Sequence, residues 1–152
     1  MKKFIVLILT LVPFMTTAAI PEVDELGKRF QSNENVTVVT LGGEMLKAQL
    51  GSTENGYADS IEQLTVIASE HKKSSKELES EINKLLKGLK LEPTVNIENG
   101  GSKVKIYTVG SESVSDIIVY VIDGDDLAFI NICGAIPADM INDVVNAISN
   151  IG

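Results

Sequence analysis

Tryptophan is absent from this 152-residue chain, histidine and cysteine occur once each, and aromatic residues make up only 5%. Each scarcity removes a class of function. One His and one Cys cannot furnish the four N/S ligands of a structural zinc site, and a single Cys cannot build a disulfide framework. Few aromatic rings leave no platform on which nucleobases or sugars stack. Cationic residues are also the minority, 13 Lys and Arg against 21 Asp and Glu, for a net charge of −8. Nucleic acid and anionic headgroups both require a basic footprint, so neither is expected as a partner. What remains, 44% hydrophobic and 22% charged residues, is the composition of an ordinary folded protein of one-domain length.

The long apolar run that the chain does have is at its start. Lys2 and Lys3 precede an apolar stretch from Phe4 to Met15, broken only by Thr10 and Pro13 and followed by Thr16, Thr17, Ala18 and Ala19. A cationic start, a short apolar core and small residues at the −3 and −1 positions describe a secretory signal peptide. The run is shorter than the roughly 20 residues that span a bilayer. Residues 1–19 are therefore expected to be a signal, cleaved after Ala19, with 20–152 as a single domain. No Cys follows the run, which excludes a lipoprotein. The expected mature chain is periplasmic or otherwise exported, with no stable membrane insertion. Cleavage takes two lysines and no acid, so its net charge is about −10.

Hydrophobic periodicity organises the remainder. Residues 21–30 read as a helix through Val23, Leu26 and Phe30, and the β-branched run 36–41 as a strand. Gly42 and Gly43 turn into a short helix at 44–50, a polar loop covers 51–60, and 61–69 reads as a strand. Ser74 and Glu77 have capping-box spacing ahead of Leu78, Ile82, Leu85, Leu86 and Leu89, one apolar helical stripe that Pro93 must end. Strands at 94–98 and 103–109 flank the turn Asn99-Gly100-Gly101-Ser102. The apolar run Ile117 to Ile122 reads as a strand covered on both faces, and Asp123-Gly124-Asp125-Asp126 turns it into a last strand ending at Gly134. Pro137 suits the first turn of a closing helix carrying Met140, Ile141, Val144, Val145 and Ile148. The pattern predicts an α+β fold: an antiparallel sheet of about five to six strands with helices packed mainly on one face, a two-layer sandwich.

Several residues of this pattern resemble a known family. Val23-Asp24-Glu25-Leu26 with Phe30, Val36-Thr37-Val38-Val39 leading to Glu44-Met45-Leu46, and Ile61-Glu62-Gln63-Leu64 carry the likeness. So, above all, does Leu127-Ala128-Phe129-Ile130-Asn131-Ile132-Cys133-Gly134 with the helix start after it. The chain is similar to the domain-of-unknown-function 4252 family of exported bacterial envelope proteins, over nearly all of residues 21–148. The resemblance implies an envelope protein of undetermined activity and carries no catalytic residue. Cys133 departs from the polar residue common at that position in the family.

Candidate chemistry is sparse. A thiolate nucleophile at Cys133 needs a base, and His71 is the only one of its kind, with Asn131 on the same strand parity as a third member. A small buried thiol and a solvated His between Glu70 and Lys72 are the commoner fate of such residues. Asp123, Asp125 and Asp126 offer oxygens to Ca²⁺, but the twelfth position of an EF-hand counted from Asp123 is Gly134, not an acid. Gly42-Gly43 lacks the following Lys of a phosphate loop, and Glu44 would compete with a phosphate at that helix start. Asp59-Ser60-Ile61 resembles an Asp-Ser/Thr-aliphatic acceptor, which makes Ser60 a candidate for O-glycosylation. Asn35-Val36-Thr37 matches the N-glycosylation triplet, of little weight in a bacterial chain. No cofactor or metal is expected. The reading that results is a non-catalytic envelope module acting by contact with an envelope protein partner. The alternatives are a binder of a small apolar ligand between sheet and helices, and a thiol or carboxylate hydrolase. The sequence assigns no oligomeric state. The strand at 94–98 is the expected sheet edge, because Pro93 and its polar residues suit one.

Overall fold

Pro21 at the first helical position, acids in the first turn and Lys28 and Arg29 in the last are the features that start and stop a helix, and the chain opens on one. The computed structural model describes residues 20–50, 60–110 and 114–149. Its elements are α1 (Pro21–Phe30), β1 (Val36–Gly42), α2 (Gly43–Leu50), β2 (Ile61–Ser69), α3 (Lys72–Gly88), β3 (Val95–Asn99), β4 (Ser102–Val109), β5 (Val114–Asp123), β6 (Asp126–Ile136) and α4 (Ala138–Ser149). The expected signal with its cleavage residue Ala19, and residues 51–59 of the polar loop, lie outside the described residues.

All six strands form one sheet in the order β1-β2-β6-β5-β4-β3, every neighbouring pair antiparallel. Strands β3 to β6 are a meander, as their tight turns predict. Gly100 and Gly101 both take positive φ, the requirement of a two-residue turn matched to strand twist. Gly124 does the same between β5 and β6. The long-range step is β2, which lies against β6 some sixty residues later and carries β1 outside it.

Alternation along the strands gives the sheet two faces. On the first, Val36, Ile67, Tyr107, Ile118, Tyr120, Leu127 and Phe129 join Val23, Leu26 and Phe30 of α1 and Leu78, Ile82, Leu85 and Leu86 of α3 in one core cluster. Their neighbours Ile106, Ile117 and Val119 point the other way, into a second cluster with Ile136 and with Met140 and Ile141 of α4. The helices thus do not all lie on one side of the sheet.

Two local expectations are corrected. Ser74 is not the cap of α3: the helix begins at Lys72 with His71 before it, and no side chain caps it. Ser74 is instead buried in the first turn, where its hydroxyl accepts from Asn33 Nδ2 at 3.4 Å. The neighbouring Ser75 hydroxyl reaches the Asp125 carbonyl at 2.6 Å, tying this turn to the β5–β6 hairpin. Tertiary bonds here take the place of a local cap. Nor does Gly134 end the last strand. β6 runs on to Ile136, and Gly134 lies within it where a Cβ would collide with the Ser60 carbonyl and the β2 backbone. That glycine is needed for close approach, not for a turn.

Candidate functional site

One group of polar residues is buried on the face that α1 and α3 cover. In register across the sheet, Asn131 of β6 lies between Thr65 of β2 and Ile118 of β5, and Cys133 between Gln63 and Asp116. Strand parity sets Gln63, Thr65, Asp116, Asn131 and Cys133 on the same face. Asn131 Nδ2 donates to Asp116 Oδ1 at 3.3 Å, and the Ser115 hydroxyl donates to Oδ2 at 2.9 Å. Gln63 Nε2 donates to the Thr65 hydroxyl at 3.4 Å, and the Gln63 side chain also bonds Asp24 of α1.

Asp116 has 0% exposure. Burial raises its carboxyl above the ordinary value, against the bonds from Ser115 and Asn131 that favour the anion. Burial likewise raises Asp24, offset by the charge of Lys28 and the bond from Gln63. Asn131 Oδ1 is buried with no hydrogen-bond partner among the described residues. So is the hydroxyl of Tyr120, whose ionisation is raised by burial and then by Glu79 and Tyr107, and whose ring meets Phe129 edge-on at 6.4 Å. With Asp116, Asn131, Thr65 and Cys133 all buried, this cluster links α1, β2, β5 and β6 from within. Its Asp116 carboxyl is closed to a substrate, while Asp24 at the α1 end is half-buried.

The residues singled out for chemistry in the sequence are scattered. Cys133 is buried beside Asn131 on the shared face, as parity requires. His71 is exposed beyond the far end of β2: Ser69 pairs with Leu127, and six residue steps along β6, about 20 Å of strand, separate that pair from Cys133. The Cys-His-Asn trio is not assembled. Asp123 and Asp126 close a hairpin, with Asp123 Oδ1 accepting from Ser102 at 2.7 Å. Among the described residues no group of three His, Cys, Asp or Glu is placed to hold a metal ion. Gly43 packs where a Cβ would stand 2.6 Å from the Ile61 carbonyl, so the glycine pair serves the contact of α2 with β2. Ser60 directly precedes β2 and is half-buried, its carbonyl against Gly134. Between the sheet and α1 and α3, Leu26, Ile67, Leu78, Ile82 and Phe129 fill the interior at 0% exposure, where an apolar ligand would have to sit.

The opposite face has another character. Its strand positions are Thr37, Val39 and Leu41; Leu64, Val66 and Ala68; Ala128, Ile130 and Ile132; Ile117, Val119 and Val121; Val104, Ile106 and Thr108; and Val95 and Ile97. None of these is charged. Ile106, Ile117 and Val119 are buried near α4, while Val39, Leu41, Leu64, Val66, Val104, Val121, Ile130 and Ile132 keep partial exposure. Of the helices, only α4 contributes described residues to the cluster on this face. Sequence reasoning missed this surface because β2 and β6 had to be paired before their aliphatic positions became one patch.

A comparison with protein families matches the domain of unknown function DUF4252 over residues 30–144. No curated protein and no solved structure matches the chain.

Proposed function

Because the chain belongs to the domain-of-unknown-function 4252 family, whose description assigns no activity, we propose from its surface that it is an exported envelope module working by protein contact and not by catalysis. The observation that carries this reading is the aliphatic face, whose acids Asp123 and Asp126 stand at its hairpin end. Contiguous apolar surface beyond a few hundred Å² marks an interaction site more often than bare protein exterior. Strands about 4.8 Å apart with about 3.3 Å per residue make this face roughly 30 by 20 Å before subtracting what α4 covers. α1 and α3 cover the other face, and on this one the described cluster takes in Met140 and Ile141 of α4, so a partner would meet the part that α4 does not cover.

Export through a Sec-type signal is part of the proposal. It is supported by the Lys2-Lys3 start, the apolar run and the small residues up to Ala19. Ile20, the first residue after that cleavage point, is 5% exposed and belongs to the main core cluster. The mature chain would then begin at a core residue.

The test pairs capture with a variant. The chain, expressed from residue 1 and purified as the cell processes it, is used to capture partners from an envelope extract, and its native mass is measured beside Val66→Lys. A partner or an oligomer that the lysine variant loses, with its circular dichroism unchanged, supports the reading. A lone monomer in both measurements overturns it.

A further inference from the structure

Among the described residues the sheet has two edges with no further strand beside them, and they are built differently. At one, β3 follows Pro93 and carries Asn96, Glu98 and Asn99, the polar and charged devices that discourage a foreign strand. At the other, β1 reads Val-Thr-Val-Val-Thr-Leu-Gly, seven residues with neither charge nor proline and no break in its register with β2. In an antiparallel sheet bonded and non-bonded pairs alternate. The two-residue hairpins at Gly100-Gly101 and Gly124-Asp125 are closed by bonded pairs. Carrying that alternation across to β1 turns the N–H and C=O groups of Val36, Val38, Thr40 and Gly42 outward. The Val36 N–H bonds the Asn33 carbonyl at 3.1 Å, which agrees with this phase. The other outward groups have no backbone partner among the described residues.

We propose that β1 pairs antiparallel with β1 of a second copy of this chain, joining two six-stranded sheets into one. A two-fold axis at Val38 sets Val38 against its own copy and Val36 against Thr40, all β-branched pairs that favour a ladder. This phase keeps like faces together, so Thr37, Val39 and Leu41 of both copies continue the aliphatic face unbroken across the junction. Charge selects the location. A net charge of −8, about −10 after signal removal, opposes the approach of two copies at most surfaces, whereas β1 brings no acid to the pairing. The same argument disfavours the β3 edge, where Glu98 would meet a second acidic chain. This inference rests on the contact reading and names its partner.

An interface of one strand per copy is small, so a dissociation constant on the order of 10 µM is expected. The experiment is sedimentation equilibrium on the chain as the cell processes it, across that concentration range. Wild type is expected to pass from one chain mass to two. Thr37→Lys, an exposed position on the strand, is expected to weaken dimerisation by at least about tenfold, whereas Asn96→Lys on β3 leaves it unchanged. Hydrogen exchange of wild-type residues 36–42 is expected to slow as concentration rises, a readout that does not depend on any variant folding. A monomer at every concentration, or a dimer indifferent to Thr37→Lys and without slowed exchange at β1, overturns the pairing. Either result leaves the Val66→Lys capture test intact, so failure here is distinguishable from failure of the contact reading.

Discussion

Asp116 shows what a single residue contributes when the fold closes around it. Its carboxyl is fully buried and raised above the ordinary value of 3.8, chiefly by desolvation. A carboxyl that binds its proton more tightly when folded stabilises the fold fully below its unfolded pKa. That contribution is lost as pH rises through the folded value. Asp24 shifts in the same direction and adds to the trend. Stability is therefore expected to fall from pH 4 toward neutrality, and urea midpoints at pH 4, 6 and 8 measure it. Asp116→Asn removes the ionisation and keeps one acceptor oxygen, its amide nitrogen becoming a donor at the other position, so it is expected to flatten the pH slope. Asp116→Ala leaves the buried Asn131 amide without its acceptor, while the exposed Ser115 hydroxyl keeps the Val109 carbonyl and water, and is expected to cost about 1–3 kcal/mol. A steeper slope in Asp116→Asn than in wild type would contradict the assignment. Little of this was legible beforehand. Parity alone placed Asn131 and Cys133 together, but Asp116 joins them only through the β5–β6 register, and Gln63 and Asp24 only through β2 and α1.

Elements with local causes were legible and those with tertiary causes were not. Residues 21–30 and 61–69 were read with the limits the structure shows, because helical spacing and a β-branched run are properties of the segment itself. The start of α3 was misplaced because Ser74 bonds across to Asn33 instead of capping its own helix. The end of β6 was misplaced because Gly134 looks like a terminator and is a contact point. Opposite outcomes at two glycines test this distinction. Gly134→Ala puts a methyl group into the Ser60 carbonyl and is expected to destabilise by about 1–3 kcal/mol. Gly88→Ala, in the last turn of α3 with nothing within 4 Å of the added Cβ, is expected to stabilise by about 0.5–1 kcal/mol. Chemical denaturation with an unchanged m-value checks both. A stable Gly134→Ala would mean that β6 and the chain before β2 do not approach as closely as described.

At the scale of the molecule, the sequence disclosed how four of the six strands pair. The meander β3 to β6 follows from short turns, whereas the placement of β2 beside β6, and of β1 at an edge, depends on contacts across some sixty residues. That non-local step creates the aliphatic face and leaves β1 open, and both features bear on how an acidic protein associates. Fixed net charge of one sign adds a repulsion to every encounter between copies. Exposed charges are screened as the Debye length shrinks from about 10 Å at 0.1 M salt toward about 3 Å at 1 M. Backbone pairing along β1 and contact between aliphatic side chains carry no compensating ionic attraction to lose. Self-association is therefore expected to tighten between 0.05 and 0.5 M NaCl, with the screened repulsion as its cause, as read by the weight-average mass in sedimentation at fixed protein concentration. An interface built on opposite charges would respond the other way, weakening as salt rises. A mass that falls with salt would therefore remove β1 and the aliphatic face as the contact and direct attention to the charged surfaces of α1 and α3, where Arg29 and Glu81 meet at 2.7 Å.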